Sequence, residues 1–148
     1  MMSAKDVTGG GFTLPDCLAP MAEDRRWCGW RWEKREGKPT KPPLRVSDGR
    51  PAGYAANDDP ATWAVLSDAE AALANGGLSG VGLMLQGLRG FAALDLDDCR
   101  DPETGRALPW AADLIRRAAS YCEVTPSGEG FRILGSVSGG FPATHRKV

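Results

Sequence analysis

Two carboxylates separated by one leucine, in Phe91-Ala92-Ala93-Leu94-Asp95-Leu96-Asp97-Asp98, are the residues of this chain best suited to chemistry. Side chains alternate along a strand, so Asp95 and Asp97 share one face while Leu96 takes the other. Two hard oxygen ligands at a sheet edge suit Mg²⁺ or Mn²⁺, the ions that handle phosphates. The same letters also describe an apolar strand running into an acidic turn, because Asp98-Cys99-Arg100-Asp101-Pro102-Glu103-Thr104-Gly105 is rich in turn formers. Taken alone, the run fits that more ordinary description.

The turn Thr125-Pro126-Ser127-Gly128-Glu129-Gly130 is the second informative segment. Ser127, Gly128 and Gly130 would let backbone N–H groups approach a phosphate with no Cβ in the way, although a tight turn between strands needs the same residues. Arg132 follows, in a strand otherwise made of Phe131, Ile133 and Leu134, where a cation needs a partner or an opening. From an adjacent strand it would reach a triphosphate held on its other side by the metal. Trp27, Trp30 and Trp32 are interleaved with basic residues that could stack bases and hold phosphates, yet alternate tryptophans usually build core. Lys38 and Lys41, flanked by prolines, are candidate contacts to nucleotide or strand, or else solvated loop lysines.

Charge and cysteine usage narrow the classes. The net charge of -1 argues against a uniformly basic nucleic-acid binder, but nine Lys or Arg face three acids between Arg25 and Arg50, and five acids face one Arg from Asp95 to Glu103. A basic surface near an acidic metal site suits anionic substrates, although such runs are commonly solvated faces. Cys17, Cys28, Cys99 and Cys122 show no Cys-x-x-Cys spacing and the single histidine is His145, which excludes a zinc ribbon or finger and leaves only a near-terminal base for a Ser-His or Cys-His site, an unattractive arrangement. Neither a P-loop, a dinucleotide fingerprint nor a helix-loop-helix calcium loop fits. No apolar stretch reaches membrane-spanning length and no signal peptide is visible, so a cytoplasmic protein with reduced thiols is expected.

Elements that would position these residues follow from pattern. One domain is the default for 148 residues. Residues 1–13, with Gly9-Gly10-Gly11, read as a flexible leader, and the domain runs over 14–148. Asp16–Asp24 suits a short helix or turn, Trp27–Trp32 a strand, Gly37 a turn, and Lys38–Pro43 an extended edge or loop. Asp59-Pro60 predicts a helix start and Asn75-Gly76 its stop, with Trp63, Leu66, Ala69 and Leu73 on the apolar face. Gly80–Leu85 and Gly90–Asp95 read as a hairpin joined through Gln86–Arg89. A second helix from Pro109 would bury Trp110, Leu114 and Ala118, and short strands Tyr121–Val124 and Phe131–Leu134 would flank the serine turn. The mixture favours an α+β fold, mostly antiparallel sheet flanked by helices.

In order, Trp30-Arg31-Trp32, Lys38-Pro39-Thr40-Lys41-Pro42-Pro43, Asp59-Pro60-Ala61-Thr62-Trp63, Gly80-Val81-Gly82-Leu83, Leu94-Asp95-Leu96-Asp97 and Tyr121 through Arg132 resemble the N-terminal part of bifunctional primase-polymerase domains. These belong to phage and plasmid replication proteins of the archaeo-eukaryotic primase superfamily, and the likeness covers about residues 16–136. The resemblance implies a partial primase-polymerase, RRM-like core and the activity of a DNA primase and polymerase, a nucleotidyltransferase of DNA replication. It implies that Asp95 and Asp97 bind Mg²⁺ or Mn²⁺ as catalytic residues. Ser127, Gly128, Gly130 and Arg132 would cradle the triphosphate, with Lys38 and Lys41 as lesser nucleotide or template contacts. Implied partners are a DNA template, nucleoside triphosphates, and a replicative helicase domain or partner protein, with no membrane.

Two departures shape the expectation. Many members of the family carry a histidine where Arg132 stands; arginine grips phosphate but does not titrate near neutrality. The family also has a third acidic motif on a later strand, whereas Ile133–Val148 contains no Asp or Glu. Two carboxylates hold a metal weakly, and a two-ion mechanism needs bridging oxygens around ions about 3.5–4 Å apart. The chain is therefore expected to be truncated before the third motif and inactive or weak alone, catalytic when completed. The rival is a non-catalytic primase-like module that binds nucleic acid or docks on a replication or defence protein. A nucleotide-sugar transferase with Asp-x-Asp and Mn²⁺ ranks lower, since it leaves Ser127 and Arg132 unexplained.

Overall fold

The computed structural model describes residues 2–4 and 13–138, and every strand pairing among them is antiparallel. The fold is α+β, as expected, and divides into two compact units, Met1–Gln86 and Gly87–Val148. Gly9-Gly10-Gly11 and His145 lie outside the described residues.

The first unit carries β1 (Met2–Ala4), β2 (Trp27–Trp30), β3 (Glu33–Arg35), β4 (Lys38–Thr40), β5 (Pro43–Ser47), β6 (Arg50–Tyr54), α1 (Leu66–Ala74) and β7 (Gly80–Leu83). Five strands form one sheet in the order β1-β7-β2-β5-β6, and β3 pairs with β4 as a separate hairpin. Three residues of the expected leader are thus a strand on β7, through backbone pairing that demands no apolar pattern. β2 is buried at all four positions, the mark of a strand covered on both faces. Trp30 is 0% exposed, and its indole lies where a Cβ on Gly80 would come within 2.6–2.8 Å of it, so glycine is the side chain that fits. Trp32, beyond the strand end, is instead 42% exposed and meets Trp30 edge-on at 5.9 Å.

Both hairpin turns in this unit use two left-handed residues, Glu36-Gly37 (φ 51 and 78) and Asp48-Gly49 (φ 50 and 68), the twist that two-residue hairpins favour. Lys38–Thr40 is an extended edge, as Pro39 favours. The helix expected from Asp59 is two pieces. Asp59 does cap, accepting from Ala61 N at 3.0 Å, but it starts only a 3-10 turn, Pro60–Thr62; α1 begins at Leu66. The chain is diverted because Ala64 pairs with Trp27 as a bridge and Trp63 Nε1 donates to Ala56 O at 2.7 Å. α1 then buries Leu66, Ala69 and Ala72, with Leu73 only half-buried, and packs on β2, β5, β6 and β7.

The second unit carries β8 (Phe91–Leu96), α2 (Pro109–Ala118), β9 (Tyr121–Val124) and β10 (Phe131–Ser136). Its sheet runs β8-β10-β9. The expected hairpin of β7 with β8 does not form: β7 already has β1 on one edge and β2 on the other, and β8 pairs with β10. α2 starts on Pro109, where a missing N–H costs nothing, and carries Arg116 and Arg117 at its electronegative end. It buries Ala111 and packs Leu114 and Ile115 with Leu96, Cys99 and Ile133. Of the expected face only Leu114 packs inward, since Trp110 is 47% exposed and Ala118 is exposed too. Alanine fits close to a sheet where tryptophan does not. No helix among the described residues is long and apolar enough to cross a membrane.

Candidate functional site

Leu96 is buried in the core of the second unit, which leaves Asp95 and Asp97 exposed on either side of it. Asp97 lies just past the strand end, and Leu94, which strict alternation would bury with Leu96, is 40% exposed. Register explains what Asp95 does there. Arg132 sits directly opposite Asp95 on one side and Glu123 on the other, so a cation lies between two acids across three strands. Its Nε donates to Asp95 Oδ1 at 2.5 Å, and its Nη1 is 3.7 Å from Glu123 Oε1. Arg132 is only 6% exposed. A guanidinium this buried needs compensation, which the two carboxylates supply. Its Nη1 has no hydrogen-bond partner among the described residues. Tyr121 OH donates to Glu123 Oε2 at 3.2 Å, extending the row.

The Thr125–Gly130 turn closes on itself. Thr125 N donates to Gly130 O at 3.0 Å and Gly128 N to Thr125 O at 2.8 Å, while Ser127 Oγ accepts from Glu129 N at 3.4 Å and lies 3.1 Å from Thr125 Oγ1. The amides of Gly128 and Glu129 are thereby engaged within the turn. Its two glycines have different reasons. Gly128 takes φ +82, open to glycine at no cost, with no atom near where a Cβ would stand. Gly130 is squeezed, since a Cβ there would run into the backbone oxygen of Leu96. The loop after Asp97 clamps the turn from outside: Cys99 N and Arg100 N donate to Glu129 O at 3.0 and 2.9 Å, and Arg100 Nη1 to Gly128 O at 2.7 Å.

Asp95, Asp97, Ser127, Gly128, Gly130 and Arg132 therefore share one small unit, where Leu96, between the two acids, pairs with Phe131 beside the turn. Lys38 and Lys41 belong to the other unit, Lys38 exposed on β4 and Lys41 half-buried after it. Glu123 and Arg100 were missed in the sequence. Counting back from the turn as a hairpin would have set Glu123 opposite Arg132; nothing in the local pattern marks Arg100.

Among the described residues no group of three or more His, Cys, Asp or Glu is placed to hold a metal ion. The donor set is two carboxylates, one with an oxygen already against a guanidinium. That fits Mg²⁺ or Mn²⁺ completed by water and substrate phosphates, the usual arrangement for Mg²⁺, and does not fit a closed protein cage. The acidic turn is separate: Asp101 Oδ1 accepts from Glu103 N at 2.8 Å and Thr104 N at 3.1 Å, and the amide and hydroxyl of Thr104 together with the Glu103 amide hold its carboxyl below the usual range. No disulfide joins the cysteines. Burial pushes the Cys28 thiol up to about 12 and raises Cys99 and Cys122, so these three thiols are poor nucleophiles.

No protein-family model matches the chain. Over 117 residues, 79% of its length, it is 32% identical to a protein of Nitratiruptor phage NrS-1 described as a DNA primase-polymerase. The chain covers 15% of that protein. Most of this chain is thus related to a segment of a phage DNA primase-polymerase.

Proposed function

We propose that this is a primase-polymerase-like domain of a mobile-element replication protein, contributing to metal-dependent nucleotidyl transfer on a DNA template within a longer polypeptide. The observation that carries the reading is the placement of Asp95 and Asp97 either side of buried Leu96, next to the serine turn, in a chain related to a primase-polymerase. Asp95 and Asp97 hold Mg²⁺ or Mn²⁺, which when bound lowers the cost of hydroxyl attack on the α-phosphate and of pyrophosphate departure. Arg132 fixes the Asp95 carboxylate in one orientation. Arg132 would also meet the triphosphate, a contact that requires its buried Nη1 to be uncovered when the nucleotide binds. Ser127, Gly128 and Gly130 shape the wall on which that triphosphate rests, and Lys38 and Lys41 are cationic contacts to nucleotide or template. Partners are DNA, nucleoside triphosphates and a helicase domain or partner protein of a cytoplasmic replication assembly.

The test is nucleotide binding by the whole chain, titrated with a fluorescent deoxynucleoside triphosphate with Mg²⁺, Mn²⁺ or EDTA. Binding should require the metal, and Asp97→Ala should weaken it at least about tenfold, the lower end of what disturbing a metal's surroundings costs. Affinity indifferent to both metal and Asp97→Ala would overturn the catalytic reading in favour of a binding module.

A further inference from the structure

The first unit has two open clefts at opposite ends of the edge strand β6, and they are joined by one network of side chains. At the Arg50 end, a cleft of about 600 Å³ is lined by Arg31 and Arg50 over Gly76 and Gly77. At the Tyr54 end, one of about 540 Å³ is lined by Arg35 and Tyr54 over Pro42 and Pro43. Glu33 ties the ends together, accepting from Arg31 Nε at 3.1 Å and from Tyr54 OH at 3.0 Å, with Arg35 Nη2 at 3.8 Å. The Arg35 guanidinium stands 4.7 Å over the Tyr54 ring, which is nevertheless 57% exposed. Between the clefts, Gly53 takes φ +98 with no atom within 4 Å of where a side chain would stand, so the backbone there is bare.

We propose that β6 and these clefts form a track for a single-stranded nucleic acid, with phosphates on Arg31, Arg50 and Arg35 and a base stacked on Tyr54. Charge selects the partner. Two guanidiniums, those of Arg31 and Arg35, flank the Glu33 carboxylate, and Arg50 adds a third cation at the far cleft, in a stretch holding nine cations and three acids, so Glu33 orients its two partners without cancelling the charge. The Tyr54 hydroxyl chiefly, with Arg31 and Arg35, holds the Glu33 carboxyl below the usual range, so this wiring persists at neutral pH. An exposed aromatic ring among guanidiniums is the combination that holds an unpaired strand, because every base has a face to stack and every nucleotide a phosphate. Duplex DNA hides those faces. Naming the strand a replication template rests on the function proposed above; the binding does not.

The experiment is anisotropy of a fluorescein-labelled oligothymidylate with the whole chain, in EDTA and without nucleotide, across a salt series. Tyr54→Ala should weaken binding at least about five-fold and Tyr54→Phe should retain most of it, because the stacking ring remains. Arg31→Ala and Arg50→Ala should each flatten the slope of log affinity against log salt by about 0.7, whereas Arg117→Ala, an exposed cation of the other unit, should leave it unchanged. Absence of binding in low salt, equal affinity for duplex, or an unaltered Tyr54→Ala protein with native circular dichroism would each overturn the track. Working without metal or triphosphate keeps this outcome separate from the fate of the nucleotidyl-transfer reading.

Discussion

The two units bury awkward side chains in opposite ways. In the first, the bulky group at the centre is Trp30, and its neighbours answer it with absence: Gly80 leaves room for the indole. In the second it is Arg132, and its neighbours answer with charge: Asp95 and Glu123 flank it across the sheet. A shape problem is solved by removing atoms and an electrostatic one by adding opposite charge, and the two solutions fail differently. The first loses packing when its glycine gains a methyl. The second loses more when its cation is taken away, because the Glu123 carboxylate, 10% exposed, is left without its counter-charge.

Arg132→Met is therefore the most severe test of this contrast. It should cost about 3 kcal/mol in urea unfolding, the low end for breaking a buried pair since Asp95 is half exposed. Adding Glu123→Gln should recover part of that loss. A loss under about 1 kcal/mol, the scale of a surface pair, would mean that the charge row is not what holds this sheet. Gly80→Ala comes next, at about 2 kcal/mol from overpacking against the indole, and Trp30→Phe in the same chain should relieve it. If Gly80→Ala unfolds at the same urea concentration as the parent, the contrast with the charged unit collapses. The smallest effect is a pH dependence. Asp101 is held below its unfolded value of about 3.9, so the charge of this residue stabilises the protein above that pH and stops doing so as pH falls through the folded value. The thermal midpoint of the parent should exceed that of Asp101→Asn at pH 6, with the gap closing on the acid side; a gap that widened there would reverse the sign.

Much of the second unit was legible in the sequence because its signals are local. Leu96 between two aspartates, the glycine-rich turn, and Pro109 at a helix start each act within a few residues, and each stands where the pattern put it. What was not legible depends on partners distant in the chain. The run of apolar residues on both sides of Gln86 looked like a hairpin, but β7 has both of its edges taken by strands from far earlier in the sequence. Asp59-Pro60 announced a helix and got one turn of it, since Ala64 was claimed by Trp27. The apolar character of Trp110 suggests core, yet it is Ala111, with Leu114 and Ile115, that meets Leu96, Cys99 and Ile133. Asp48-Gly49 is, by contrast, a local signal, a strong hairpin cue that by itself places β6, the strand with the open clefts.

Gly128 and Glu129 offer their carbonyls to a single neighbouring loop, through Cys99 and Arg100. The stretch that follows the second aspartate and the crown of the serine hairpin are consequently splinted, like two fingers bound to one rod. While these bonds hold, a displacement of either piece carries the other with it.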